Sequence, residues 1–422
     1  MRDRIPKHPG RVKLRNVSTG EESLFDMTMA DEPDVEGTPP TKQFLLQDST
    51  EEELFGSSAD RSVNDAFLGV ASILKLIAGN FAAINLTVTD TTGNPVSGVY
   101  VDGITNQNGQ SVATNSEGKI SGVIAQGSAK VSISGYADIE NFSKTYQIVK
   151  GRTYNESIQI TTRNFIKITG SQAVKFSGNV SSIDFSLGGP GGPGGAGVRV
   201  EYGSLASGGA GAGGECIVKT DVSVSPGQSY QAVIGVSGSP GSWSNGTEPT
   251  KSGTSSFMGY TAQGGGAGTN AKATNSSTAT PGIGGTGNGA GANGVTCTDG
   301  YGDKAKSGLN GSIGTGKMFS SFTDEEDYGG GGGSGTVGSS ANNSSGQPKV
   351  AGKGAGKGAD GGYATASGQG MQNGKSASSN TGGGGGSGAA AYDSNYSTRI
   401  IGDGGRGGSG CLAIRMHLKS EQ

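Results

Sequence analysis

The feature that most limits what this chain can fold into is where its glycine lies. Of 83 glycines, 17 precede Gly188 and 66 lie between Gly188 and Gly410. Runs such as Gly329–Gly333 and Gly382–Gly386 have no side chains to bury, and glycine loses more backbone entropy on ordering than any other residue. Something cooperative must compensate. Polyproline II geometry repeats every three residues. Where glycine occupies the crowded faces, such helices approach closely and exchange backbone hydrogen bonds and Cα–H contacts. A stack of polyglycine II helices is therefore expected here, without a hydrophobic core.

The first half is a different material. Residues 1–58 carry Pro6, Pro9, Pro33, Pro39 and Pro40 among many charges, which predicts extended segments and turns that become ordered on a partner. Over 59–80 the residues Val63, Phe67, Val70, Leu74 and Ile77 recur at spacings of four and three, one seam of a helix that Gly79 would stop. The seam is two heptads long. It fits either a short trimeric bundle or an amphipathic helix packed on its own domain. Residues 81–162 read as short strands separated by turn signals at Gly93-Asn94-Pro95, Asn108-Gly109 and Glu117-Gly118, the spacing of a small antiparallel sandwich.

Residues 163–422 are framed by strands. Phe165–Thr169 and Val180–Leu187 alternate and run into Gly188-Gly-Pro-Gly-Gly-Pro-Gly-Gly195. The runs Glu215–Thr220, Val222–Tyr230 and Gln231–Gly235 read as strands around a Pro226-Gly227 turn, and Gly410–Leu418 closes the array. The fold class expected is mainly β, modular and elongated: an extended segment plus helix, a small sandwich, then a β-framed glycine-rich domain.

Two resemblances follow. Leu86-Thr-Val-Thr-Asp90, Gly93–Gly98, Thr114–Gly118 and Ser134-Gly-Tyr136 resemble carboxypeptidase-regulatory-like or bacterial immunoglobulin-like sandwiches used as spacers in surface and tail proteins. The glycine run after a strand, the "SPGQSY…VIG" hairpin, "GTSSF" at Gly253–Phe257 and the final "GGRGGSGCLAIRM" at Gly404–Met416 closely resemble the glycine-rich domain of phage tail proteins. Met1–Leu14, with Ala30–Pro33 and Glu36–Pro39, is similar to the start of tail proteins from phages of Gram-positive hosts. These resemblances imply a rigid polyglycine II scaffold whose inter-segment loops recognise the host.

Charge and chemistry narrow the alternatives. A net charge of -3 with pI about 5.6 provides no footprint for nucleic acid. No apolar run has signal-peptide or membrane-spanning length, so neither an export signal nor membrane insertion is expected. Cys216, Cys297 and Cys411 are too few for a disulfide framework. With only His8 and His417, at opposite ends, no Ser-His-Asp or zinc set assembles. Gly311–Met318 spells a phosphate loop except that Met318 replaces the required hydroxyl, and Asp324–Asp327 lacks Ca²⁺-loop spacing. No catalytic residue, cofactor or metal is expected.

The leading expectation is a non-enzymatic tail fibre or tail-tip protein of a phage or phage-like particle, made in the host cytoplasm and located in the virion tail or baseplate. Its partners would be tail or baseplate proteins through the N-terminus, and a bacterial surface receptor of glycan, teichoic acid or protein. Homotrimerisation would use the seam of Val63, Phe67, Val70, Leu74 and Ile77. Receptor-contact candidates are the aromatics between glycine runs: Trp243, Tyr260, Tyr301, Phe319, Phe322, Tyr328, Tyr392 and Tyr396. They could instead cover the flanks of the bundle. The alternative functions are a purely structural baseplate or tail spacer and, behind it, a polysaccharide depolymerase.

Overall fold

The computed structural model describes residues 11–15, 19–20, 22–26, 63–200, 204–275, 278–297, 306–337, 351–363, 373–392 and 399–419. Two compact units result, Met1–Ala78 and Gly79–Gln422.

In the first unit Arg11–Arg15 and Glu22–Asp26 form an antiparallel ladder, with Arg11 opposite Asp26 and Arg15 opposite Glu22. This stretch was expected to be extended only; its two short strands pair with each other. The helix spans Val63–Ala78, and the chain leaves it through Gly79 and a left-handed Asn80 (φ 57°). Along the seam Phe67, Val70 and Leu74 are exposed; Val63 and Ile77 lie in the helix, and their side chains are outside the described residues.

The sandwich region, residues 81–160, forms one seven-stranded sheet around a shared core and not two packed sheets as expected. Phe81–Asp90 buries alternate residues, among them Ile84, Leu86 and Val88, because successive strand side chains face opposite sides of a sheet. It pairs antiparallel with Lys119–Ala125. Tyr100–Thr105 bridges from there to Gly127–Ile133, which pairs with Phe142–Ile148. Nor is its pairing wholly antiparallel as expected. Thr153–Ile160 lies parallel to Phe81–Asp90, because the chain crosses from Phe142–Ile148 at one edge of the sheet to the other edge and adds its last strand there.

Three of its turns share one construction. In Asp90–Asn94, Asn106–Gln110 and Asn115–Lys119, the first side chain accepts from the backbone N–H of residues three and five. The fourth residue is glycine at φ +89°, +78° and +70°, a left-handed conformation that glycine takes without steric cost.

No free linker separates the sandwich from the glycine-rich region. Asp138, fully buried, accepts from the Ser177 N–H at 3.0 Å, Arg163 donates to the Ala137 carbonyl, and Gly178 N–H donates to Ser97 O. Burial raises the Asp138 pKa above the ordinary carboxylate range.

Beyond this seam a four-stranded antiparallel sheet runs in the order Phe165–Ile168, Cys411–Leu418, Val180–Gly188, Cys216–Ser223. Its core includes Phe176, Ile183, Phe185, Leu187, Phe257 and Ile414. The Pro226-Gly227 turn forms, with Gln228 N–H donating to Ser225 O, but its flanks do not pair as the expected hairpin. Tyr230–Ala232 instead pairs with Gln172–Val174, and the Tyr230 ring packs on Phe176 and Phe257.

The glycine segments rise from this sheet. All nine N–H groups of residues 207–215 are donated, in a strict rotation of three. Ser207, Ala210 and Gly213 donate to 295, 292 and 289; Gly208, Gly211 and Gly214 to 388, 385 and 382; Gly209, Ala212 and Glu215 to 269, 266 and 263. Carbonyls of the same segment accept from 189–195, 282–288 and Gly332. A backbone that turns one donor toward a new neighbour at each residue is a threefold helix, and six neighbours are hexagonal packing. Segments 329–337 and 382–390 are surrounded in the same way, and the three touch one another. A Cβ at Gly211 would overlap the Gly192 carbonyl, at Gly332 that of Gly385, and at Gly385 that of Gly405. Pro190 and Pro193 sit where the rotation of 189–197 requires no donor, and their carbonyls accept from Gly265 and Gly268.

Candidate functional site

The hydrogen-bond registers fix the direction of each segment. Segment 189–197 leaves the framing sheet; 263–271, 289–295, 329–337, 358–362 and 382–390 run parallel to it, and 207–215, 282–288, 306–314, 352–355, 374–377 and 402–410 run back. The connections between 197 and 207, 271 and 282, 295 and 306, 337 and 352, 362 and 374, and 390 and 402 therefore all leave and re-enter at one end, the end away from the sheet and sandwich. At the opposite end the turns are short, as at 288–289 and 355–358, or belong to the frame.

Where the threefold segments end, short β-ladders begin. Val198–Arg199, Leu205–Ala206 and Thr296–Cys297 form one, Lys272–Ala273 with Ala279–Thr280 a second, and Ala390–Tyr392 with Arg399–Ile401 a third. Two small apolar clusters seat them: Val198, Val200, Ala206, Ala271 and Ala279, and Leu205, Cys297, Val337 and Ala390. The loops thus spring from a packed platform, the arrangement that leaves recognition segments free to carry polar and aromatic residues.

The aromatic candidates divide between the two ends. Trp243 lies at the tip of a hairpin beside segment 402–410 at the loop-bearing end and is 40 % exposed. Tyr392 lies there too, opposite Arg399 in its ladder. Tyr301 and Tyr396 lie outside the described residues.

The other four belong to the base. Phe319 and Tyr328 are core residues, which corrects their reading as contacts: the stretch between glycine runs that carries them folds into a hairpin, Gly316–Phe319 with Glu325–Tyr328, packed on the framing sheet. The Tyr328 ring fills the space over Gly188 and Gly382 and its hydroxyl donates to Gly189 O at 2.8 Å. The Arg415 guanidinium stacks on Phe319, Phe322 meets His417 edge-on, and Tyr260 leans on Phe185 beneath the Lys219 ammonium.

The acidic run of this hairpin is matched by cations. Glu326 bridges Lys167 at 2.7 Å and Lys357 at 3.1 Å, Asp327 pairs with Lys317, and Arg415 donates to the Asp324 carbonyl. The Lys167 hydrogen bond, with that of Lys357, holds Glu326 below the ordinary carboxylate range. In the phosphate-loop spelling, Gly311 and Ser312 donate to Lys353 O and Ala290 O and Thr315 to Asn288 Oδ1, so those N–H groups form no anion cradle. Burial pushes Cys216 up to about 12 and Cys411 up to about 11, which leaves both as neutral thiols. Among the described residues no three His, Cys, Asp or Glu side chains gather as metal ligands would.

Sequence reasoning missed Tyr363, Asn373 and Asp403, which lie at the loop-bearing end. Their signal was only positional, each standing at the edge of a glycine segment.

Compared with known families, residues 166–417 match the model described as a glycine-rich domain, over more than half of the chain. No curated protein matches.

Proposed function

The chain belongs to the glycine-rich domain family, and from that premise we propose that it is a non-enzymatic tail fibre or tail-tip protein of a phage or phage-derived particle, which holds a bacterial surface through its C-terminal loops. The observation that carries this reading is the gathering of the inter-segment connections at one end of a rigid lattice, away from the sandwich. A scaffold with fixed backbone and one decorated end suits adhesion better than load-bearing alone, for which loops at either end would serve equally.

In this reading residues 1–58 dock on the tail or baseplate, and the sandwich acts as the immunoglobulin-like or carboxypeptidase-regulatory-like spacer its sequence resembles. The exposed stripe of Phe67, Val70 and Leu74 joins three copies, since identical chains around an axis can bury a narrow apolar seam. Light scattering that finds a monomer would overturn the trimer. For the adhesin, the test is binding of the full chain to a panel of bacterial cells against a variant in which 298–305, 338–350 and 364–372 are short glycine-serine linkers. Loss of binding with an unchanged circular dichroism spectrum is expected. An intact chain that binds no cell, or a linker variant that binds equally well, overturns the reading and returns the protein to a spacer.

A further inference from the structure

We propose that the loop-bearing end carries a ledge for a neutral oligosaccharide, formed by Trp243, Asp403, Asn373 and Tyr363; this rests on the adhesin reading above and names its ligand class. The four residues come from four neighbouring segments. Gly404 N–H donates to Gly241 O, Gly374 N–H to Asp403 O, and Lys375 N–H to Asp360 O, which sets the segments ending in Trp243, Asp403, Asn373 and Tyr363 side by side in that order. At one hydrogen-bonded spacing per neighbour, about 4.8 Å, the row spans at most roughly 14 Å, a length for several linked rings and not one.

The row is tied together along its length. Trp243 N–H donates to Asp403 Oδ1 at 2.7 Å, and Asp403 N–H to Asn373 Oδ1 at 3.0 Å. The Trp243 turn is closed by Ser242 N–H to Thr247 O and by Gly246 N–H to Trp243 O. A ring carried on a backbone pinned this way loses little further freedom on binding.

The two aromatics are 40 % and 41 % exposed and belong to none of the core clusters. Among the described residues, the indole N–H, the Tyr363 hydroxyl, Asp403 Oδ2 and Asn373 Nδ2 have no hydrogen-bond partner. Flat apolar faces at the two ends match the C–H faces of sugar rings. A carboxylate oxygen and an amide N–H₂ between them match ring hydroxyls, which accept and donate together. The lone carboxylate in the middle disfavours acidic sugars. A protein partner would be better served by contiguous apolar surface at the centre of the patch, where this ledge is polar.

Trp243 is the chain's only tryptophan, so its fluorescence reports this site and no other. The experiment uses the full chain, cells that it binds, and neutral polysaccharide prepared from those cells. The polysaccharide is expected to compete for cell binding and to shift or quench the tryptophan emission. Trp243→Ala and Tyr363→Ala should each weaken binding about tenfold with unchanged thermal melting, while Trp243→Phe keeps most of it. If cells are bound but the polysaccharide neither competes nor changes the emission, and Trp243→Ala binds as well as the parent, the ledge is refuted while the adhesin reading stands, with a protein receptor indicated. If no cells are bound, both fall.

Discussion

In the sandwich, Ile84, Leu86 and Val88 meet Val101, Ile124, Ile133 and Ile158 in a core of branched side chains. In the lattice, segment 207–215 buries nothing bulkier than a serine, and sixteen backbone hydrogen bonds, nine donated and seven accepted, hold it on six sides. One region is stabilised by what its side chains fill, the other by what its residues lack. Removing atoms should therefore harm the sandwich, and adding atoms should harm the lattice.

The sharpest break of this contrast is Gly385→Val, where the first added carbon meets the Gly405 carbonyl in a segment with no free side. A loss of about 5 kcal/mol or more is expected in urea unfolding, with early amide exchange throughout 329–337 and 382–390; a near-neutral outcome would mean that the lattice yields. Next comes Leu86→Ala, 1 % exposed in the sandwich, which should cost about 3 kcal/mol by the same measurement. Gly109→Ala tests whether sandwich glycines matter for space or for conformation. Its added carbon meets nothing within 4 Å but its φ is +78°, so about 1 kcal/mol should be lost, and less for Gly109→Asn, which tolerates that region. The smallest effect is electrostatic. Glu326 is held below its ordinary value of 4.5 by Lys167 and Lys357, so its contribution is present above that pH and fades as pH falls through the lowered folded value. Partly exposed, it should contribute under about 1 kcal/mol. Glu326→Gln should leave melting against pH flatter below pH 4.5.

The sequence made the two materials legible for different reasons. Strand alternation at Phe81–Asp90 and the D/N-x-x-G turns are local signals, so the sandwich strands and their hairpins could be read directly. Glycine runs announced threefold helices because nothing else accommodates so many residues without side chains. Their order in the lattice is non-local and was not legible, although the spelling Gly-Gly-Gly-Gly-Gly-Ser-Gly occurs at 329–335 and again at 382–388, two of the three fully surrounded segments. Phe319 and Tyr328 were misread because their place between glycine runs suggested a surface connection. The opposing charges of Lys317 and Asp327, which face each other in register, were the trace of a hairpin. Parallel pairing of Thr153–Ile160 depends on a crossover that periodicity does not reveal. The ledge residues were hidden because their neighbours in space lie as far apart in sequence as Trp243 and Asp403.

Because both ends of each inter-segment connection are anchored in the same lattice face, changing the length of one connection alters only its own closure entropy, roughly 0.6 kcal/mol for each doubling. Insertions there need no compensating change elsewhere in the backbone. The loop-bearing end can consequently be rebuilt one loop at a time, by recombination in nature or by grafting in the laboratory, on a scaffold whose folding does not register the exchange.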